Sequence, residues 1–153
     1  MKRRSWRFAV VLAACTSLAV LTASTKAPVA RPFQMAADSQ LVIVVDPLNP
    51  DYGTYVAHAE GIASHLGRIA VDEAGVLAPV THGVITAANG DLLNYSFDTT
   101  TAVATVTGGT GRFTGASGQF TIVVQPLGPP VLDPIAGTMT QNFRWSGSGT
   151  ITY

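Results

Sequence analysis

Apolar and polar residues alternate along most of the chain beyond position 40, with the period of two that is typical of β-strands. The first predicted strand, Leu41–Val45, is a continuous and mostly β-branched run, which favours a strand buried on both faces or nearly so. Seven further strands are predicted, over residues 52–63, 68–72, 80–88, 91–97, 102–107, 119–125 and 137–153.

Asn89-Gly90 lies between two of these strands and predicts a hairpin over residues 80–97. A type I′ turn needs positive φ at both central residues, and Asn-Gly is the pair that most readily provides it. In the strand after the turn, alternation puts Leu93, Tyr95 and Phe97 on one face of the sheet.

A glycine-rich stretch, Gly108–Gly118, has five glycines in eleven residues and a predicted strand on each side. Glycine reaches positive φ without steric cost, so this spacing predicts a tight, irregular crossing between the two strands. A phosphate-binding loop is excluded, because no lysine follows and the next residues have a β-pattern instead of opening a helix. In the last strand, Gly147 and Gly149 indicate a bend or close packing.

About eight consecutive strands joined mostly by short turns predict an all-β fold, an antiparallel up-and-down β-barrel that leaves no sheet edge exposed. A β-sandwich of the same strands is the alternative. We expect the barrel domain to span residues 40–153, with a long proline-rich loop over 126–134. Residues 25–39 contain two prolines and no clear period, and they are interpreted as a flexible linker.

Residues 1–24 have the pattern of a secretory signal peptide: four basic residues among the first seven, then an uncharged apolar run from Phe8 to Ala23. We therefore expect the protein to be secreted, periplasmic or on the cell surface. Leu12-Ala13-Ala14-Cys15 also resembles a bacterial lipobox, in which Cys15 would be lipidated and would anchor the chain in a membrane. Against this alternative, the apolar run continues for eight residues beyond Cys15.

The composition is that of a core-forming chain, with 47% hydrophobic and 12% charged residues. From residue 25 onward the chain has five basic and nine acidic side chains, and no lysine follows Lys26. A nucleic-acid partner is not expected, because the chain lacks a basic stripe.

Three segments together resemble small secreted bacterial proteins: 61–68, 86–91 and 108–113. The glycine-rich stretch is also similar to that of the allene oxide cyclase and dirigent barrel group. The resemblance covers residues 61–122, of which only the glycine-rich part is shared with the allene oxide cyclase and dirigent group. That group implies an eight-stranded barrel whose cavity guides cyclisation or radical coupling of an apolar or phenolic substrate. It assigns no catalytic residue to this chain.

No motif predicts a cofactor or a metal site. His58, His65 and His82 are too far apart in sequence for the close-spaced pair typical of zinc sites. The serines at 117 and 148 lack the spacing and the following helix of a nucleophile elbow.

One polar constellation can be built from strand alternation. If Phe143 and Trp145 face outward, Arg144 points into the barrel, where Asn142 and Tyr95 would complete the polar end of an apolar pocket. Arg112 is the other candidate ligand-binding residue, although a pairing with Asp91 or Asp98 is the preferred interpretation.

The function expected is the binding of a small apolar or phenolic molecule, or a structural role outside the cytoplasm. The alternative is a cyclase- or dirigent-like enzyme.

Overall fold

The computed structural model describes residues 27–46 and 49–153, with side chains for 27–45 and 53–153. Within these residues, nine strands form one antiparallel sheet, and a single 3-10 turn spans Gly111–Phe113. The strands are β1 Ala30–Asp46, β2 Asn49–Ala63, β3 Gly67–Val76, β4 Val80–Ala87, β5 Leu92–Asp98, β6 Val103–Gly109, β7 Ser117–Pro126, β8 Val131–Asp133 and β9 Thr138–Thr152.

Strands β1 to β7 pair in chain order, β7 pairs with β9, and β9 pairs with β1, which closes the sheet into an eight-stranded barrel. The short β8 pairs only with the first residues of β9 and stands outside this closure. The predicted up-and-down barrel is confirmed, and the sandwich alternative is excluded, because β1 and β9 pair along fifteen positions from Ala30↔Thr152 to Val44↔Thr138.

Every second side chain along the strands faces inward, and together these side chains form the barrel interior. Phe33 and Met35 of β1 and Phe120 of β7 face inward and are at most 5% exposed. The rings of Phe33 and Phe120 lie 4.7 Å apart and those of Tyr95 and Phe120 lie 6.0 Å apart, so aromatic side chains fill the middle of the barrel.

The first strand begins at Ala30, so residues 30–39 form half of β1 and the predicted flexible linker is wrong over that range. The alternation was obscured in the sequence by Pro32 and by the small inward residues Ala37 and Ser39. The signal peptide predicted for residues 1–24 and the candidate lipidation site Cys15 lie outside the described residues.

Two further details differ from expectation. Leu41–Val45 is not buried on both faces: Val44 lies on the outer face and is 46% exposed, and Val45 is 37% exposed where β1 reaches the end of the barrel. The hairpin is present, but only Gly90 in its turn has positive φ, at 86°. Bonds from Gly90 N to Ala87 O and from Ala87 N to Asp91 O define a three-residue loop with a glycine bulge instead of a type I′ turn.

The barrel has two different ends. The glycine end carries the connections 64–66, 88–91 and 110–116 together with both described chain termini. The cavity end carries the connections 77–79 and 99–102 and the β7–β9 segment with β8. Four of the five glycines of Gly108–Gly118 have positive φ, which confirms the predicted irregular crossing at the glycine end.

Candidate functional site

A cavity of about 200 Å³ opens into the barrel interior at the cavity end. Its wall is mainly apolar and includes four aromatic side chains. The lining residues are Leu41, Tyr55, Ala57, Glu73, Leu77, Ala78, Thr81, Phe97, Thr99, Val124, Phe143 and Trp145. An apolar concave site with a few polar groups is the usual form of a small-molecule site.

Among the side chains that the structure describes, Glu73 supplies the only ionisable carboxyl of this wall, and it is 7% exposed. Its position on β3 follows from strand alternation, because Ile69 and Val71 also face inward. The hydroxyl of Tyr95, on β5, donates a hydrogen bond to Glu73 Oε1. Thr81 on β4 lies 3.5 Å from Glu73 Oε2, at the long limit of a hydrogen bond.

Burial raises the pKa of the Glu73 carboxyl above its ordinary value of 4.5, because a charged carboxylate loses the solvation of water. The hydrogen bonds from Tyr95 and Thr81 oppose this effect by stabilising the charged form. Burial also raises the pKa of Tyr95, and the neighbouring Glu73 raises it further, so Tyr95 keeps its proton and remains a donor. The pKa of Tyr55 is raised mainly by burial as well.

Gly83 on β4 makes room for the Tyr95–Glu73 pair. It lies directly opposite both Glu73 and Tyr95 in the strand register. A Cβ atom at this position would overlap the Tyr95 hydroxyl and approach Glu73 Cγ to 2.7 Å. Because Gly83 has no side chain, the Glu73 carboxyl and the Tyr95 hydroxyl can come into contact.

The predicted polar pocket of Tyr95, Asn142 and Arg144 is not brought together. Tyr95 is inside the barrel and 2% exposed, as its alternation predicted. Trp145 faces inward and is buried, and Phe143 lines the cavity, so the intervening Arg144 lies outside. Arg144 binds Asp38 there through Nε to Oδ1 at 2.9 Å and Nη2 to Oδ2 at 3.4 Å.

Asn142 is also on the outer face, where its Oδ1 accepts a hydrogen bond from Gln40 Nε2 at 3.4 Å. Side chains alternate between the two faces of β9, so residues 142 and 144 lie on the face opposite to that of residues 143 and 145. These two residues are therefore corrected from the cavity to the barrel exterior.

Arg112 lies in the 3-10 turn at the glycine end, away from the cavity. Its Nε is 3.6 Å from Asp91 Oδ2, and its backbone N donates to the same oxygen at 3.3 Å. Hydrogen bonds from Asn89 and from this backbone N–H lower the pKa of Asp91. The geometry is that of the preferred structural pairing.

The histidines lie apart on the surface or in a turn, and among residues 27–46 and 49–153 no group of three or more possible ligands could hold a metal ion. His58 Nδ1 is 2.7 Å from Asp72 Oδ1, and this contact raises the pKa of His58. His65 contributes Nε2 to a 3.0 Å contact with Pro32 O. No helix in the described part of the chain is long and apolar enough to cross a membrane.

Sequence reasoning missed Glu73. The strand predicted over residues 68–72 ends one residue before Glu73. The strand in fact continues to Val76. The alternation of Ile69 and Val71 was the signal that could have placed Glu73 on the inner face.

The chain matches no protein-family model and no curated protein. Among solved structures it is similar to the pterocarpan synthase dirigent protein GePTS1, with 13% sequence identity and a TM-score of 0.43. The match covers 82% of this chain and 87% of that chain. The barrel itself is established by the closure of β1 on β9.

Proposed function

We propose that this barrel binds one small, mainly apolar aromatic molecule in the cavity at its cavity end, with Glu73 as the polar anchor. The observation that carries the proposal is the cavity of about 200 Å³ with a nearly buried carboxyl in its wall. A buried ionisable group in an otherwise apolar site costs stability, and functional sites are where such groups concentrate.

The size of the cavity limits the ligand. An engineered apolar cavity of about 150 Å³ takes up benzene, so about 200 Å³ suits a molecule with one aromatic ring and a short substituent. Tyr55, Phe97, Phe143 and Trp145 offer ring faces and edges for packing against it.

Filling the cavity tests the proposal. Ala57 is 3% exposed and lines the cavity, so Ala57→Leu places three more carbon atoms in the space a ligand would use. We expect wild type to bind propylbenzene saturably with one molecule per chain, measured by calorimetry, and Ala57→Leu to lose this binding.

Ala74→Leu is the matched control, because Ala74 is exposed on the outer face of β3. It should bind propylbenzene like wild type. Wild-type protein that binds no aromatic probe would contradict the proposal and leave a structural role as the better interpretation.

An enzyme of the cyclase or dirigent type is the second candidate, and the raised pKa of Glu73 favours it. A protonated carboxyl can act as a general acid, and a raised pKa makes its conjugate base a better acceptor of a proton from a bound substrate. Tyr95 would hold the carboxyl in place through Oε1 and leave Oε2 toward the cavity. Arg144, which was expected to point into the barrel, lies outside it and pairs with Asp38.

Proton transfer by Glu73 can be tested with a simple carbon acid. Acetophenone incubated with the protein in deuterated water should exchange its methyl protons faster than in buffer, as followed by proton NMR. Glu73→Gln should abolish the acceleration. Equal exchange with wild type and Glu73→Gln would remove the enzyme candidate without affecting binding.

We also propose export through residues 1–24, on the charge and hydropathy pattern of that segment. Mass spectrometry of the chain recovered from an expressing bacterium distinguishes the two routes. Cleavage near Ser24 supports a simple signal peptide, whereas a diacylglyceryl group on Cys15 supports the membrane-anchored lipoprotein.

A further inference from the structure

The charges around the cavity have one sign. Glu73 is in its wall, and none of the four arginines in the described part of the chain lines it. Arg144 is paired with Asp38 on the outer face. Arg31 lies over the Tyr153 ring at 5.3 Å, and Arg68 and Arg112 also belong to the glycine end. An anionic ligand would find no cationic partner among the described residues of this wall.

The charge of the whole domain has the same sign. Residues 27–153 contain four arginines and nine carboxylates, a net charge of −5 with neutral histidines. A field of this sign raises the local concentration of cations and opposes the approach of anions.

Glu73 has an oxygen with spare acceptor capacity. Oε1 accepts the Tyr95 hydroxyl, whereas Oε2 has only the 3.5 Å contact with Thr81. Both Glu73 and Thr81 line the cavity, so the free capacity lies at its wall. The other titratable groups facing this carboxyl are Tyr55 on β2 and Tyr95 on β5, and both are phenols that remain neutral.

We infer that the ligand of the cavity is a small aromatic amine bound as its ammonium cation, an inference that rests on the proposed binding function. The ammonium group would donate a charge-assisted hydrogen bond to Glu73 Oε2, and the aromatic walls would contact both the ring and the cation. A buried charge needs a partner of opposite sign, and Glu73 and the ammonium supply that partner to each other. Where Glu73 is protonated before binding, its proton is released to solvent as the ammonium arrives.

Three probes of similar size separate charge from shape: 2-phenylethylamine, propylbenzene and phenylacetate. At pH 7, calorimetry with the wild-type protein should give an affinity for the amine about 10- to 100-fold above that for propylbenzene, the range expected of one hydrogen bond to a charged group. Phenylacetate should bind most weakly. Glu73→Gln should lower the affinity for the amine to that for propylbenzene. It should change the affinity for propylbenzene by no more than about threefold, because glutamine keeps the shape of the side chain but carries no charge.

Asp72→Asn is the matched control, since it removes the same charge from the adjacent residue, whose side chain is 64% exposed on the outer face. It should retain the preference for the amine, which separates local pairing from net charge. Propylbenzene binding as tightly as the amine, or an amine preference that persists in Glu73→Gln, would overturn the inference while the proposed binding function stands. Failure of all three probes would instead contradict the proposed function.

Discussion

The two ends of the barrel use their buried residues differently. At the glycine end, Phe113, Ile151, Leu93 and Leu66 are 0–1% exposed, and the Phe113 ring meets that of Tyr153 at 5.0 Å. At the cavity end, Leu41, Phe97 and Phe143 beside the opening are only partly buried, and a carboxyl occupies the wall. The glycine end is closed by packed side chains, whereas the cavity end contains a cavity and a buried carboxyl that lowers stability. Stability and binding are therefore expected to depend on opposite ends.

The largest difference should come from removing one phenylalanine at each end. Phe113→Ala should reduce the free energy of unfolding by about 3–5 kcal/mol, because a fully buried ring is lost and leaves a cavity. Phe97→Ala should cost about 1–2 kcal/mol, since Phe97 is partly buried and already borders a cavity. Urea unfolding measures both losses, and equal values would contradict the division of roles.

The glycine stretch can be dissected with two alanines. Gly111 and Gly115 have φ of 55° and 73°, so alanine is strained at both. A Cβ atom at Gly111 would also overlap the Asp91 carboxylate that pairs with Arg112, whereas one at Gly115 meets nothing within 4 Å.

We therefore expect Gly115→Ala to cost about 1 kcal/mol and Gly111→Ala about 2–3 kcal/mol in urea unfolding. The excess at Gly111 measures the clash at the Asp91 contact. Losses of the same size would mean that backbone strain alone explains the glycines, and that the contact with Asp91 adds nothing.

At the cavity end, the corresponding substitution is Gly83→Ala. Its methyl group would displace Tyr95 from Glu73, so the unfolding free energy should fall by about 1–2 kcal/mol and binding of 2-phenylethylamine should be lost. Gly75→Ala is the control, because its nearest neighbour, Tyr55 Cε1, would lie at an ordinary 3.7 Å. Binding unchanged in Gly83→Ala would show that the Tyr95–Glu73 contact does not organise the cavity.

The glycine end could be predicted from sequence and the cavity end could not. Glycine spacing and the period of two are local signals, so the hairpin at Asn89-Gly90 and the crossing at Gly108–Gly118 followed from a few adjacent residues. The cavity depends on the length and parity of strands. Because the predicted strand ends at Asp72, it does not include Glu73. The prediction for Arg144 depended on the direction of Trp145, which faces inward and so places Arg144 on the outer face.

The smallest effect concerns how stability depends on pH. The native pKa of Glu73 is raised above 4.5, so in the interval above 4.5 the folded protein holds a proton that the unfolded chain has lost. Stability therefore falls as pH rises through this interval, by at most about 1.4 kcal/mol per pH unit, and levels off once the native carboxyl has ionised. Glu73→Gln should lack this decline, so the difference in unfolding free energy between the two proteins should shift in favour of Glu73→Gln as pH rises.

Comparing wild type with Glu73→Gln separates the effect of the Glu73 carboxyl on stability from that of the other titrating groups. Asp91 and Asp98 have lowered pKa values and titrate below 3.8, and they are the same in both proteins. His58, whose pKa is raised above 6.5, loses its contribution to stability as pH rises above that value, again equally in both. Urea unfolding from pH 4 to pH 8 should therefore show a difference between wild type and Glu73→Gln that grows only in the interval where Glu73 titrates. Parallel curves would mean that Glu73 does not carry its proton at the cavity end, and the contrast between a packed end and a polar, costly end would then rest on packing alone.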